Sequence, residues 1–393
     1  MEDGSTRNRG RVLTIGFAHL VHDTPGAFLA PVLPLLIEKF GLTVFLAGLL
    51  EQFRRLPSLA NPFLGLMADR ICIRWFIIVM PGVTAVSMSL LGIAPGYAFL
   101  SVLLLISGVS SAIFHVTCPV MMKHASSKRI GRGMSFYMFG GELARTLGPL
   151  VILGAVSLWG LEGTWRLVPF GVAASVFLYI RLRDVRIERE PIETRDDRAG
   201  RVFASLLPFF AAITGMLACQ GAMKAALTIY LPTYLTSKGT SLWLAGISLS
   251  VLQFSGAAGT FLAGTVSDRI GRKKAMLMIM SLNPLLMLLF IAAEGTRLVL
   301  PVLVLTGFFL FASGPVILAL VHDIESRRMS FINGIYMTIN FTVNSLLVLA
   351  VGFAADRVGL DLTYRISAFI AFGSVLFVLM LRSVTPSAGR SRD

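Results

Sequence analysis

The sequence predicts an all-α integral membrane protein of twelve transmembrane helices, arranged as two six-helix pseudo-repeats. Of the 393 residues, 55% are hydrophobic and only 14% are charged, whereas a soluble domain usually carries about 25% charged residues. Because one span takes about 20 apolar residues, twelve spans use roughly 240 positions and leave no room for a large soluble domain. The apolar runs are continuous, as over 366–381, which excludes a β-barrel, whose strands alternate apolar and polar residues.

Charged residues, glycine and proline bound the apolar runs and mark the ends of the predicted spans. The first and seventh spans exceed the minimal length and contain prolines, so we expect kinks in both. Lysine and arginine concentrate in the tails and in alternate loops, which indicates a multi-pass protein of the inner membrane with both termini in the cytoplasm. The predicted spans are 12–37, 44–66, 75–93, 98–121, 133–157, 165–181, 203–234, 243–266, 275–293, 298–321, 331–354 and 363–381.

The second half of the chain repeats the first. GLMADR at 65–70 returns as GTVSDR at 264–269, and GLEGTWR at 160–166 returns as GLDLTYR at 359–365, both 199 residues later. A parallel duplication of this kind places a transport site between the halves, near the middle of the membrane. The predicted division is an N-terminal half at 1–182, a polar cytoplasmic linker at 183–202 and a C-terminal half at 203–393.

The loops after the second and eighth spans share a pattern of glycine, aspartate and basic residues. It resembles the loop motif of the major facilitator superfamily, which implies a transporter that alternates between two states. An acidic group at a helix end can meet a loop arginine or a helix N-terminus, so the resemblance implies a conformational latch; simple positive-inside anchoring is the alternative. The latch candidates are Gly65, Asp69 and Arg70 in the first copy, where Cys72 replaces a glycine, and Gly264, Asp268, Arg269, Gly271 and Arg272 in the second.

The fifth span contains GGELARTLGP, with Gly140, Gly141, Gly148 and Pro149. It resembles the glycine-rich antiporter motif of drug exporters in this superfamily, although close helix packing alone would also explain the glycines. Across most of the chain the sequence is similar to the fosmidomycin-resistance-type exporters, for example in HLVHD at 19–23. It departs from that group at His22, where they carry asparagine, so the fold carries over more safely than the substrate.

Ionisable residues at membrane depth are costly and therefore mark candidate functional sites. Withdrawal from water favours the protonated form of a carboxylate, which makes Asp23 the leading proton-coupling candidate. The other proton-coupling candidates are His19, His22, His115, Glu51 and Glu142. The substrate-binding candidates are Arg54, Arg55, Arg145 and Lys224, with the uncharged Gln253, Asn340 and Asn344 in the second half.

Several of these residues are spaced to pair along one helix, as His19 with Asp23, Glu51 with Arg55 and Glu142 with Arg145. One interpretation is that the pairs only fix helix positions. The other is that Arg145 and one of Arg54 or Arg55 clamp an anion, because guanidinium groups bind carboxylate or phosphate bidentately. Neighbouring residues on a helix point about 100° apart, so we expect Arg54 and Arg55 to serve different roles.

The favoured function is a proton-coupled efflux antiporter for a small anionic or amphiphilic compound. An importer of organic acids or phosphorylated metabolites and a non-transporting membrane sensor are the alternatives. No nucleotide-binding loop or metal-spaced motif appears, so we expect no enzyme, no metal and no cofactor besides the proton gradient. The expected partners are a small-molecule substrate and the lipid bilayer. The net charge of +14 follows membrane topology, so we expect no nucleic acid, and the resemblance implies a monomer.

Overall fold

The protein is described by a computed structural model that covers residues 2–61, 74–126, 130–184, 206–324 and 329–381. These residues form fifteen α-helices and three short 3-10 helices, at Leu56–Ala60, Leu91–Ile93 and Glu162–Leu167. The α-helices are α1 (Glu2–Gly26), α2 (Leu29–Phe40), α3 (Val44–Arg55), α4 (Arg74–Ser89), α5 (Tyr97–Ser126), α6 (Ile130–Trp159), α7 (Val168–Leu182), α8 (Leu207–Thr228), α9 (Leu231–Ser237), α10 (Leu242–Ile270), α11 (Arg272–Ala292), α12 (Val299–His322), α13 (Met329–Val358), α14 (Leu360–Phe372) and α15 (Ser374–Met380).

Eleven helical stretches within the described ranges are long and apolar enough to cross a membrane. They correspond to eleven of the twelve predicted spans, from Gly10–Phe40 to Leu360–Met380. The remaining predicted span, 44–66, begins as α3 and continues into the 3-10 turn Leu56–Ala60. Its last residues lie outside the described part of the chain. The all-helical, multi-pass prediction is confirmed.

Both spans expected to kink are interrupted. The first breaks between α1 and α2, just after Pro25, and the backbone turn closes with Phe28 donating to the carbonyl of Pro25 at 3.0 Å. The seventh breaks between α8 and α9, where Leu231 precedes Pro232. A proline ring cannot donate a backbone hydrogen bond and restricts the residue before it, so a helix ends readily at such a position.

Two compact units make up the chain. The first unit comprises Met1–Ile192 together with Tyr230–Phe254. Its core lies between α1, α4, α5, α6 and α7 and is built from buried side chains such as Ile15, Ile77, Phe114 and Leu178. The segment from Tyr230 joins this unit through contacts that include the Tyr230 hydroxyl, 3.5 Å from the carbonyl of Val44.

The second unit comprises Glu193–Ile229 and Ser255–Asp393. Its core contains Met216 of α8, Met276 of α11, Val316 of α12 and Val378 of α15, all fully buried. The predicted linker at 183–202 lies mostly outside the described residues, so the division into halves at that linker stays a prediction.

Large apolar side chains are exposed along the outer faces of both units, as Leu158 (74% exposed), Phe170 (69%) and Phe261 (78%). Such faces suit hydrocarbon, because helices satisfy their backbone hydrogen bonds internally and present only side chains to lipid. Some polar side chains are buried instead, and in the first unit His19 and His22 lie against one carboxylate of α1.

Candidate functional site

Three histidines converge on Asp23 in the middle of the first span. His22 Nδ1 lies 2.8 Å from Asp23 Oδ1, and His19 Nε2 lies 3.1 Å from Asp23 Oδ2. From α5, His115 Nε2 lies 3.2 Å from Asp23 Oδ1. We call these four residues the Asp23 cluster. His19 is the partner predicted from its spacing four residues before Asp23, and His115 is reached only through the packing of α5 on α1.

Aromatic rings hold the imidazoles of the Asp23 cluster in place. The His22 ring stacks on Phe114, with centroids 4.0 Å apart and planes 5° from parallel. The His19 ring stacks on Tyr137 of α6, with centroids 3.9 Å apart and planes 15° from parallel. Stacking fixes the plane of each ring, so each ring nitrogen meets one defined partner.

A second layer of hydrogen bonds surrounds the Asp23 cluster. His19 Nδ1 lies 2.6 Å from the Tyr137 carbonyl oxygen, and His115 Nδ1 lies 3.1 Å from the Tyr137 hydroxyl. His22 Nε2 lies 3.1 Å from the hydroxyl of Thr84 in α4. The Thr84 hydroxyl donates to Ser110 Oγ at 2.8 Å, and Ser110 donates to the Met80 carbonyl at 2.8 Å. Apart from His115, whose side chain is 37% exposed, the side chains of this layer are buried, so their hydrogen bonds are not exchanged freely for bonds to water.

Asp23 has more hydrogen-bond partners in the structure than the sequence predicts. The sequence predicts withdrawal from water, which favours the protonated carboxylic acid, and a pairing of Asp23 with His19. The structure places three imidazoles within hydrogen-bond distance of the carboxylate. Asp23 and the three histidines therefore form one hydrogen-bonded group.

The glycines of the GGELARTLGP motif of the fifth span lie in α6, where this helix packs on α1. A Cβ on Gly141 would lie 2.5 Å from Cε1 of His19, and one on Gly140 would run into the backbone of Gly16. A Cβ on Gly148 would crowd the Thr24 carbonyl and Ala27. The missing side chains thus let α6 approach α1 closely beside the Asp23 cluster, and Pro149 follows within the same helix.

The carboxylate of Glu51 holds both neighbouring arginines. Arg54 donates from Nε to Oε2 at 3.0 Å and from Nη2 to Oε1 at 2.7 Å, and Arg55 donates from Nε to Oε1 at 2.7 Å. Arg54 and Arg55 thus share this partner, and the expectation that only one of them joins Arg145 in an anion clamp stays a prediction. Side chains three and four residues away flank the same turn of a helix, so one carboxylate reaches both. Glu51 is 2% exposed, and the trio carries a net charge of +1.

Arg145 pairs with Glu142 along α6, with Nη2 donating to Oε1 at 2.7 Å. This confirms the pairing predicted from the spacing. Arg145 Nε is buried without a hydrogen-bond partner among the described residues, although the side chain as a whole is 40% exposed. An unfilled donor on a partly exposed guanidinium is suited to an incoming acceptor.

Several charged groups of the first unit lie close to Asp23 or to Tyr137. Asp23 acts on Arg54 and on Tyr137, and Arg145 acts on Tyr137 as well. Arg54 Nη1 lies beside Gly26, one turn after Asp23. The structure therefore brings the proton-coupling candidates of α1 and α5 and the arginines of α3 and α6 to one region of the first unit.

His19, Asp23 and His115 offer ligand atoms within 4.8 Å of one another, a spacing that could hold a metal ion. The sequence analysis expects no metal here. The hydrogen bonds already described account for each of these groups, so we treat them as a hydrogen-bonded cluster.

Comparison with known proteins places this helical architecture in a family. The model described as Major Facilitator Superfamily matches residues 15–347 and, in an overlapping match, 254–392. The chain belongs to the major facilitator superfamily.

Relatives in the superfamily match the chain almost end to end. The fosmidomycin resistance protein of Escherichia coli (strain K12) is 25% identical over 376 residues, which cover 93% of this chain and 91% of the relative. An uncharacterised transporter of Bacillus subtilis (strain 168) is 24% identical and covers 94% of this chain and 92% of the relative. The predicted resemblance to the superfamily and to its fosmidomycin-resistance-type members is confirmed.

Solved structures of superfamily transporters share the fold. The nucleoside transporter NupG superposes with a TM-score of 0.77 at 14% identity, over 95% of this chain and 99% of NupG. A D-xylose-proton symporter superposes with a TM-score of 0.69 at 16% identity, over 94% of this chain and 96% of the symporter. The predicted fold of twelve helices in two pseudo-repeats is that of the superfamily.

The second copy of the superfamily loop motif forms a compact junction between α10 and α11. Gly271 has a φ of 90°, a conformation that favours glycine, at the point where α11 begins. Arg272 pairs with Asp268 and with Asp323 Oδ2 at 3.2 Å, and it also reaches the carbonyl of Gly264. Arg269 ends α10. The first copy, with Gly65, Asp69 and Arg70, lies outside the described residues, and the latch role stays a prediction.

The uncharged and basic candidates outside the Asp23 region differ in their surroundings. Lys224 lies over the Phe311 ring, 5.5 Å from its centroid, within the second unit. Asn344 Nδ2 donates to Asn340 Oδ1 at 2.8 Å along α13 of the same unit. Gln253 belongs to the first unit, and its Oε1 is buried without a partner among the described residues. Substrate contact by these residues stays a prediction.

Sequence reasoning missed Tyr137, Thr84 and Ser110. Thr84 lies in the third span, which holds no ionisable residue in its centre and was therefore set aside. The hydroxyl groups themselves were a usable signal. A hydroxyl side chain in an apolar span needs a hydrogen-bond partner, so its presence indicates a polar contact inside the bundle. In the second unit the sequence analysis also missed Gln220, whose amide links Ser374 at 2.9 Å and Asn283 at 3.3 Å.

Proposed function

We propose that the protein is a proton-coupled secondary transporter that works by alternating access and exports a small anionic or amphiphilic compound. The observation that carries the proposal is the Asp23 cluster. One carboxylate and three imidazoles share hydrogen bonds inside a membrane span, with distances of 2.8 to 3.2 Å. Histidine and carboxylate clusters at membrane depth are the groups that relay protons in transporters.

The anionic nature of the substrate follows from the basic groups beside the cluster. After pairing with Glu51, Arg54 and Arg55 leave a surplus positive charge, and their side chains are 22% and 33% exposed. Arg145 keeps an unfilled Nε donor. Guanidinium groups with free donors bind phosphate, phosphonate or carboxylate in a planar, bidentate manner.

Export is the direction that the relatives favour. The E. coli relative is a fosmidomycin resistance protein, and resistance to a compound is consistent with its removal from the cell. The likeness to the nucleoside and xylose transporters concerns the fold and leaves direction open. Import by proton symport is the competing proposal. In either case the energy source is the proton gradient, the protein acts as a monomer in the cytoplasmic membrane, and both termini face the cytoplasm.

Proteoliposomes that enclose a pH-sensitive dye test this function. Wild type and Asp23→Asn are compared on addition of a panel of anionic compounds that includes fosmidomycin-type phosphonates. Asp361→Asn is the matched control, because its carboxylate pairs with Arg365 on an exposed part of the second unit. We expect compound-dependent proton movement in wild type and in the control, and none in Asp23→Asn.

The sign of the proton movement assigns the direction of coupling. Protons that move against the compound establish antiport, and protons that move with it establish symport. A wild-type protein that binds a panel compound in a thermal-shift assay but moves neither compound nor protons would contradict the proposal and favour a sensor.

A further inference from the structure

In the chain of hydrogen bonds from His22 through Thr84 and Ser110 to the Met80 carbonyl, each contact has only one possible donor. Ser110 Oγ and the Met80 carbonyl lie 2.8 Å apart, and only the serine can supply the hydrogen between them. The hydrogen between Thr84 and Ser110, at 2.8 Å, must therefore come from Thr84. The Thr84 oxygen is then left as an acceptor, so the contact of 3.1 Å with His22 Nε2 requires a proton on Nε2.

This direction decides what His22 presents to Asp23. A neutral imidazole carries one proton, and Nε2 already holds it. Nδ1 of neutral His22 is then a lone pair, and it lies 2.8 Å from Asp23 Oδ1. Two acceptors do not approach to hydrogen-bond distance without a proton between them. The contact therefore requires a proton beyond those of neutral His22 and ionised Asp23.

The same argument applies to His19, whose second partner is the Tyr137 carbonyl. The Tyr137 carbonyl only accepts, so the 2.6 Å contact places a proton on His19 Nδ1. His19 Nε2 then needs a second proton to meet Asp23 Oδ2 at 3.1 Å. His115 has no such requirement, because the Tyr137 hydroxyl can donate to its Nδ1 while its own Nε2 proton meets Asp23.

We propose that Thr84 and the Tyr137 carbonyl are positioning groups that oblige the Asp23 cluster to hold two exchangeable protons, one at each carboxylate oxygen. The hydrogen-bond part of this inference stands by itself, and its consequence for transport rests on the proposed function. With neutral imidazoles and an ionised carboxylate the cluster has a charge of −1. With one added proton the cluster is neutral, and one of its two contacts between a histidine nitrogen and an Asp23 oxygen still lacks a hydrogen. With a second added proton both contacts are hydrogen bonds, and the cluster has a charge of +1.

Of the two exchangeable protons, the second is the more weakly held. It completes the hydrogen bonds but places a positive charge in a site that is withdrawn from water, where charge is costly. Other charged and titratable groups lie near the cluster, on one of its own helices, α5, and on two further helices, and set the field that this proton experiences: Cys118 of α5, Arg54 of α3 and Tyr137 of α6, with Arg145 acting on Tyr137.

Nitrogen-15 NMR of histidine-labelled full-length protein in nanodiscs tests the inference directly, since the chain has only five histidines. The His22 signal is assigned by its loss in His22→Asn. Thr84→Val removes the hydroxyl at nearly constant shape, Thr84→Ser restores it, and Ser110→Ala frees the Thr84 hydroxyl to donate to His22. Size-exclusion and thermal unfolding profiles verify that each variant is folded.

We expect neutral wild-type His22 to carry its proton on Nε2, with Thr84→Ser unchanged. Thr84→Val and Ser110→Ala should shift neutral His22 toward the Nδ1-protonated form, in which it donates to Asp23 without an added proton. A wild-type His22 protonated on Nδ1 alone, or identical spectra for Thr84→Val and wild type, would overturn the inference. A wild-type spectrum that changes on addition of EDTA would also overturn it, because a metal ion would then fill the contacts.

Reversal-potential measurements in proteoliposomes test the consequence for transport. We expect two protons per substrate in wild type and in Thr84→Ser, and one in Thr84→Val. If NMR shows the expected His22 tautomers but proteoliposomes show no proton flux, the proposed function is refuted and the positioning inference stands. Coupled flux with a proton number unaffected by Thr84→Val would refute the positioning inference alone.

Discussion

The backbone carbonyl of Tyr137 lies 2.6 Å from Nδ1 of His19, and the Tyr137 ring stacks on the same imidazole. One residue of α6 thus sets both the plane and the protonation pattern of a histidine in α1. This relationship depends on the close approach of α6 to α1, which the glycines of the GGELARTLGP motif in α6 permit. The motif and the Asp23 cluster consequently belong to one helix contact.

Replacement of Gly141 by alanine should disturb this contact. The new Cβ would lie 2.5 to 3.2 Å from three atoms of the His19 ring, so either the ring or the helix must move. We expect a loss of stability of about 1–3 kcal/mol and a large loss of proton-coupled flux. Thermal unfolding and the liposome assay measure the two effects.

Gly154→Ala is the matched control for Gly141→Ala. It lies in the same helix, and an added Cβ meets nothing within 4 Å. It should leave stability unchanged or raise it by up to about 1 kcal/mol, as expected for glycine to alanine in a helix. Equal losses in the two variants would show that Gly141 has no special role beside His19.

Glu51→Gln should destabilise the first unit strongly. The buried carboxylate accepts three hydrogen bonds from Arg54 and Arg55, and its neutralisation leaves two cations without their counter-charge. Breaking a buried ion pair by removing one partner costs about 3–5 kcal/mol. The exposed pair of Asp361 and Arg365 gives the control, since Asp361→Asn should cost less than about 1 kcal/mol. Similar unfolding transitions for both variants would contradict this account.

Arg145→Leu should abolish anion-dependent flux while the protein remains folded, because Arg145 supplies the unfilled donor beside the cluster. Arg145→Lys keeps the charge but loses the planar fork, so we expect weaker substrate binding with partial flux. Binding of a fosmidomycin-type phosphonate by thermal shift and flux in liposomes measure the two variants. Unchanged affinity in Arg145→Leu would refute the anion clamp.

Gln220 and Asn283 should show strong coupling in the second unit. Both side chains are buried, and Asn283 Nδ2 donates to Gln220 Oε1 at 3.3 Å. Gln220→Leu leaves the Asn283 amide without this partner, at a cost of about 1–3 kcal/mol. Asn283→Leu in the Gln220→Leu background should then cost much less than it does alone. Additive losses of stability in this double-mutant cycle would contradict the coupling.

The fold was predictable because a bilayer demands long apolar runs, and each run shows directly in the sequence. The ion pairs of Glu51 with Arg55 and of Glu142 with Arg145 were predictable as well, since residues four or three apart share a helix face. The contact of His115 with Asp23 and that of His22 with Thr84 were not predictable. They join residues 92 and 62 positions apart and depend on the rotation of each helix about its axis, which no local pattern sets.

Substrate counterflow in Asp23→Asn proteoliposomes tests the central claim most directly. Exchange of a radiolabelled phosphonate across the membrane needs binding and alternation, whereas accumulation driven by a pH gradient also needs proton coupling. We predict that Asp23→Asn retains counterflow near the wild-type rate and loses gradient-driven accumulation completely. Accumulation that persists in Asp23→Asn would contradict the claim that the Asp23 cluster couples protons to transport, and loss of counterflow together with accumulation would make Asp23 a binding or structural residue.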